Sequence, residues 1–147
     1  MTDRYSKTST AKKAITTALS KENTVVLGRV FWLMAKQFCF SEKQTRAVLG
    51  LGNRGTANNH RRGSSIPHTI DGYARVSQLL GAKKCLEILY PRNPEVIAHW
   101  FHVERECFGG KSAIGFIADD PLESQVRLHA VRRMLDMLRN GTVNELV

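Results

Sequence analysis

Between Arg54 and Arg62 the chain reads Arg-Gly-Thr-Ala-Asn-Asn-His-Arg-Arg, with no acid among nine residues. Arg54, Arg61 and Arg62 offer guanidinium forks that fit guanine or phosphate, and Asn58 and Asn59 offer amides that pair with adenine. Thr56 brings a hydroxyl for phosphate and a methyl for thymine, and His60 a further polar ring. Held on one short helix, this is chemistry for reading a nucleic-acid groove. The same residues also suit a solvated basic helix end. Only Gly55 and Ala57 are left to pack inward.

Other candidate chemistry is sparse. Gly50-x-Gly52-x-x-Gly55 spells a dinucleotide-binding fingerprint, but no hydrophobic strand precedes it, so that reading is rejected. His99 and His102 lie one helical turn apart with Cys107 nearby, yet a fourth ligand at metal-site spacing is missing, so no metal is expected. Glu104 and Glu106 read as a solvated loop rather than a general acid and base. There is no phosphate-binding glycine loop, no paired zinc-knuckle cysteines and no nucleophile elbow. These residues point to a binding protein, not an enzyme, with no cofactor.

Charge supports a polyanionic partner. The net charge is +9, and residues 1–62 hold 12 Lys/Arg against 3 Asp/Glu, whereas residues 63–147 hold 10 of each. All of the excess is therefore in the first half. Such a field attracts phosphate backbones, and the binding falls with salt because condensed counterions are released. The basic residues do not lie opposite one broad apolar face, which argues against a membrane surface. No segment reaches the roughly 18 to 20 uninterrupted apolar residues of a membrane span, and the start has no hydrophobic signal region, so a cytoplasmic location is expected. Cys39, Cys85 and Cys107 are odd in number and far apart in apolar contexts, as expected of reduced core thiols.

The elements that would position these groups read as helices, because sustained period-two alternation is absent. Residues 1–10 form a polar tail, and 11–19 a short helix with Ala14, Ile15, Ala18 and Leu19 on one face. Over 24–40 the stripe Val26, Leu27, Val30, Phe31, Leu33, Met34 and Phe38 recurs at helical steps, with Trp32 as a core residue. Ser41-Glu42-Lys43-Gln44 is a capping box opening a helix that Gly50-Leu51-Gly52-Asn53 ends. Asn53 then caps a helix over 54–62, stopped by Gly63. Two short helices around a glycine turn outline a helix-turn-helix. Helices over 69–80 and 82–90 follow, then a break at Pro91-Arg92-Asn93-Pro94.

Beyond the break, Asn93 and Pro94 start a helix burying Val96, Ile97, Trp100 and Phe101. Gly109-Gly110 turns the chain, 112–118 is a short apolar helix, and Asp120-Pro121 launches a last helix over 121–140. Its inner row is Leu122, Val126, Ala130, Met134 and Leu138, widened by Val131, Leu135 and Met137, with Arg132, Arg133 and Arg139 near its C-terminus. The expected fold is all-α, with a tail at 1–10, a helix-turn-helix domain at 11–92 and a smaller helical domain at 93–147.

The order Trp100-Phe101, Phe108-Gly109-Gly110-Lys111-Ser112, short apolar helix, acidic proline start and closing Leu138-Arg139-Asn140-Gly141 resembles the toxin-binding domain of the Xre/MbcA/ParS antitoxins. Ala113 stands where that family usually has proline. Upstream, the helix-turn-helix and Asp71-Gly72-Tyr73-Ala74-Arg75 resemble the Xre-like N-terminal domain, so the likeness covers 24–147. The resemblance implies a cytoplasmic antitoxin that neutralises a cognate RES-domain toxin, an enzyme that consumes NAD, and represses its own operon as a homodimer on operator DNA. It places toxin contact at Arg139, Asn140, Thr142, Val143, Asn144, Glu145, Leu146 and Val147, although a frayed terminus reads almost equally well. The alternative is a stand-alone helix-turn-helix regulator, of bacterial or phage type, whose C-terminal domain serves oligomerisation.

Overall fold

The computed structural model describes residues 21–143; the predicted tail, the predicted 11–19 helix and Asn144, Glu145, Leu146 and Val147 lie outside the described residues. Among the described residues there are seven α-helices and no strand, only an isolated bridge between Glu104 and Ser112. The all-α expectation holds for this part of the chain, and no described helix is long and apolar enough to cross a membrane.

Helix α1 (Lys21–Gln37) carries Glu22 in its first turn and Lys36 in its last, matching the helix dipole. It buries Phe31, Met34 and Ala35, followed by Phe38 just beyond its end, whereas Val26 and Leu33, expected inward, are 57 % and 60 % exposed. The reason is Gly28. Its backbone lies so close to Ser64 and Ser65 that a Cβ would clash with them. The inner face is therefore Gly28, Phe31, Met34, Ala35 and Phe38, which keeps Phe31, Met34 and Phe38 of the expected stripe but turns its Val26 and Leu33 edge to solvent. After α1 the chain reverses at Cys39, which has φ 56°.

Helix α2 (Glu42–Leu49) begins as its sequence demands. Gln44 N–H donates to Ser41 Oγ at 3.1 Å, and Ser41 N–H donates to Gln44 Oε1 at 2.8 Å. Gly50, at φ 69°, closes the helix by donating to Ala47 O. Asn53 then caps α3 (Arg54–Arg62).

Helix α4 (Ile70–Leu89) is continuous where two helices were expected over 69–80 and 82–90. Gly81 does not break it, because its missing side chain leaves room for the Arg132 guanidinium to cross. That space offsets the roughly 1 kcal/mol by which an interior glycine disfavours a helix. Thr69 Oγ1 accepts from Gly72 N–H at 2.9 Å to start α4.

The proline break holds. Past it, α5 (Pro94–His99) is short and leads into a 3-10 turn at Trp100–His102. Val96, expected inside, is 43 % exposed; the burial falls instead on Trp100 and Phe101. A second 3-10 turn, Glu106–Phe108, is reversed by Gly109 and Gly110, both at positive φ. Helix α6 (Ala113–Asp119) is capped by Ser112 Oγ, which accepts from Gly115 N–H.

The last helix, α7 (Ser124–Arg139), starts three residues later than expected. Asp120 Oδ1 accepts from Leu122 N–H and Asp120 O from Glu123 N–H, which uses Asp120 to close a turn rather than to cap the helix. Its buried row is Ser124, Leu128, Val131 and Leu135. Leu122 and Val126, expected inside, are 92 % and 63 % exposed.

One hydrophobic cluster runs through the described chain, from Phe31, Met34 and Val48 through Leu79 and Leu86 to Trp100, Ile114, Leu128 and Leu135. It includes residues from both sides of the proline break. Helices α4 and α7 form its most extensive pair, and α2 packs against α6. Of the expected core thiols only Cys85 is buried; Cys39 and Cys107 sit in turns and are exposed, and all three are free.

Candidate nucleic-acid interface

Helix α3 is built from a cap, one anchor and a stop. Asn53 Oδ1 accepts from Gly55 N–H at 2.7 Å and from Thr56 N–H at 3.1 Å, satisfying two donors that a helix start leaves open. Ala57, 4 % exposed, is the only buried residue of the helix. Gly55, expected to pack inward beside it, is exposed. At about 100° per residue, Gly55, Asn59 and Arg62 fall opposite Ala57, so they form the outermost line, with Thr56 next to it.

The other candidates sit at the flanks. Arg54 is 3.8 Å from Glu42 and its side chain is 75 % exposed. Asn58 is half-buried, and Asn58 and Arg61 line a cavity between α3 and the two helices before it. Neither Arg61 nor Arg62 forms an ion pair among the described residues. His60 Nδ1 hydrogen-bonds with Ser65 Oγ at 2.9 Å and so serves the turn behind the helix. That turn is fastened to α1, because Trp32 Nε1 donates to Ser65 O at 2.8 Å and Gly28 lets the two backbones touch.

The geometry of the α2–α3 turn depends on a residue that periodicity did not single out. Arg75, 7 % exposed, sends Nε to Asp71 Oδ2 at 2.8 Å. Its Nη1 donates to Val48 O at 3.2 Å, to Ala47 O at 3.4 Å and to Ser124 Oγ at 2.8 Å. Ala47 and Val48 carry carbonyls of the last turn of α2, so a cation from α4 caps that helix and ties it to the start of α7. A Cβ on Gly50 would lie 2.6 Å from Arg75 Cζ, so Gly50 is needed for space as well as for its positive φ. The available sequence signal was Asp71 four residues before Arg75, an ion-pair spacing that gives no hint of burial.

A second polar node joins α4 to α7. Cys85 Sγ donates to Asp136 Oδ1 at 2.9 Å, and Arg132 Nε reaches both Asp136 oxygens at 3.3 Å. Burial pushes the Cys85 thiol up, and the adjoining carboxylate adds to it. Burial also raises the Asp136 carboxyl, but hydrogen bonds from Cys85 and Arg132 and the charges of Arg132 and Arg139 together hold it below the usual carboxylate range. Asp119 is likewise held low, by its hydrogen bond and ion pair with Lys111 and the nearby Arg127.

The two histidines that lie one helical turn apart differ in setting. His102 Nε2 donates to Phe38 O at 2.7 Å, His99 and Cys107 are exposed, and among the described residues no three metal-binding side chains converge. Of the proposed toxin-contact residues, Arg139 ends α7 with Nη2 3.9 Å from Asp136 Oδ1. Asn140 and Thr142 are exposed, Val143 is half-buried, and Thr142 N–H donates to Met137 O. Comparison of the chain with protein-family models, curated proteins and solved structures gives no match.

Proposed function

We propose that this protein is a DNA-binding regulator in which α2, the turn at 50–53 and α3 act as a helix-turn-helix, and that it is the antitoxin of a toxin–antitoxin pair. The observation that carries the DNA reading is the outer line of α3. One buried alanine holds the helix, while Thr56, Asn59 and Arg62 face solvent and the exposed Arg54 and Arg61 stand at the edge nearer Ala57, with no acid in the segment. Arg62 and Asn59 read bases or phosphates, and Arg54 and Arg61 fix the register on the backbone. Thr56 and Asn58 complete the contact set.

The test is a titration of duplex DNA from upstream of the coding sequence over a range of salt. The expected result is saturable binding that weakens steeply with salt, because several phosphates are neutralised. Binding no tighter than that of an unrelated duplex overturns sequence-specific reading.

The antitoxin reading rests on the resemblance of residues 94–141. By it, a homodimer represses its own operon in the cytoplasm and neutralises a RES-type, NAD-consuming toxin through Arg139, Asn140 and the residues after them. Co-expression with the neighbouring gene product recovers a stable complex if this holds. Deleting 141–147 then abolishes neutralisation while leaving DNA binding intact. A second reading is favoured by Leu122 and Val126, which expose apolar surface on one side of α7 and its leading turn. It is a stand-alone regulator whose C-terminal part serves oligomerisation, and for it the same deletion is silent.

A further inference from the structure

We propose that the cavity behind α3 is an effector site for a small aromatic carboxylate, and that filling it weakens DNA binding. The regulatory part rests on the DNA-binding reading above. The cavity has a volume of about 410 Å³ and lies between α1, α2 and α3. That size is within the range of small-molecule sites, roughly 300 to 1,000 Å³.

Its apolar lining is aromatic. Trp32, Phe40, Ala35 and Ala57 present flat and small surfaces suited to a planar ring. Its charged lining is unbalanced, with Lys36, Arg46 and Arg61 against Glu42 alone. Glu42 is already engaged, 2.9 Å from Arg46 Nε and 3.8 Å from Arg54 Nε. Lys36 and Arg61 have no ion pair among the described residues, so the uncommitted charge of the site is positive. A ring bearing one anionic group complements both linings.

Carboxylate is favoured over a nucleotide by the scarcity of neutral polar groups. Only Thr45 and Asn58 line the cavity as uncharged polar residues, and the Thr45 hydroxyl already donates to Ser41 O at 2.8 Å. A ribose buried there would leave its hydroxyls without partners, which is costly.

The site is built into the wall that carries α3. Ala57 is both the anchor of that helix and part of the lining, and Arg61 belongs both to the cavity and to the proposed DNA contacts. A bound carboxylate engages Arg61 and places a negative charge directly behind the DNA-facing surface. DNA affinity falls in consequence, and by reciprocity DNA weakens the ligand by the same factor.

The experiment is calorimetric titration of the full chain with 2-naphthoate and, separately, with the uncharged 2-naphthalenemethanol. It is repeated with Lys36→Gln, whose exposed side chain leaves the fold intact as judged by circular dichroism. One saturable site is expected for naphthoate, about tenfold weaker for the alcohol and about tenfold weaker in Lys36→Gln, as loss of one charge-assisted contact implies. Saturating naphthoate at constant ionic strength is expected to weaken DNA binding by about tenfold. Absence of saturable naphthoate binding, or equal affinity for the alcohol and for Lys36→Gln, overturns the site. Unchanged DNA affinity at saturation overturns its role as an effector site. Charge-dependent, Lys36-dependent naphthoate binding by a chain that binds no DNA upholds the site and overturns the DNA reading instead.

Discussion

The α2–α3 unit and the α4–α7 pair are held in opposite ways. Helix α3 rests on the single buried side chain Ala57, and its ends are fixed by hydrogen bonds, from the Asn53 cap to the Ser65 carbonyl held by Trp32. The α4–α7 pair contributes Val76, Leu79, Ala82, Cys85 and Leu86 from one helix and Leu128, Val131 and Leu135 from the other to one hydrophobic cluster, all essentially buried. The α3 surface is thus carried by local polar geometry, and the apolar burial that stabilises the chain lies elsewhere. Arg75 links the two regions by capping α2 from within α4 while holding Ser124 of α7.

This contrast breaks most visibly in the α4–α7 pair. Leu128→Ala, at a fully buried position, is expected to cost about 2–5 kcal/mol in chemical denaturation through lost transfer energy and a residual cavity. Leu122→Ala is expected to change stability by less than about 0.5 kcal/mol, because that side chain is 92 % exposed. Equal costs would show that the row read from large apolar residues is the buried one after all.

Gly28→Ala comes next. A methyl there meets Ser64 and Ser65 backbone, so a loss of about 1–3 kcal/mol is expected, together with loosening of the turn behind α3. Gly52→Ala, with nothing within 4 Å and no positive φ, is expected to be neutral or stabilising by about 0.4–1 kcal/mol. Paired thermal melts separate the two.

These cases also show what was legible in the sequence. The capping box at Ser41, the Gly50 stop and the Asn53 cap were readable because each is a local rule about a few backbone donors and acceptors; α3 also ends before Gly63, but there Ser64, at φ 48°, and not Gly63, at φ −86°, takes the left-handed conformation. The helix faces were legible only in part, with Phe31, Met34, Phe38, Val131 and Leu135 buried as expected. Gly28, Gly81 and Ser124 sit at the contacts, and small residues carry little weight in a hydrophobic pattern although they permit the closest approach. Val26, Leu33, Leu122 and Val126 carried that weight and face outward. Within the candidate site, the polar strip of α3 could be read from residue type, but the cavity beside Asn58 and Arg61 arises from three helices meeting, and Arg75 from a burial that no spacing shows.

Smaller effects sharpen the α3 side. Asn53→Ala removes the acceptor of two helix-start donors and is expected to cost about 1 kcal/mol. Hydrogen exchange, if this is right, quickens in α3 before α4 or α7; uniform quickening would mean that α3 does not open on its own.

The smallest effect concerns pH. Asp136 titrates below its unfolded value in the native chain, so its contribution to stability is present above the ordinary carboxylate pKa and is lost as pH falls through the lowered one. Asp136→Asn is expected to flatten the acid limb of a stability profile and leave its slope near neutral pH unchanged. An unaltered acid limb would remove Asp136 from the α4–α7 link.

The most direct measurement is the affinity of Arg62→Ala and Asn59→Ala for the upstream duplex, titrated beside the unaltered chain at several salt concentrations. Both residues lie on the outer line of α3, and Arg62 has no ion pair among the described residues, so neither substitution should alter the melting temperature. Each is expected to weaken binding by about 1–3 kcal/mol if it contacts a base, and a phosphate contact by Arg62 is expected to lower the salt slope by about one. Native-like melts with unchanged affinity and unchanged salt slope for both variants would contradict the assignment of α3 as the DNA-reading surface.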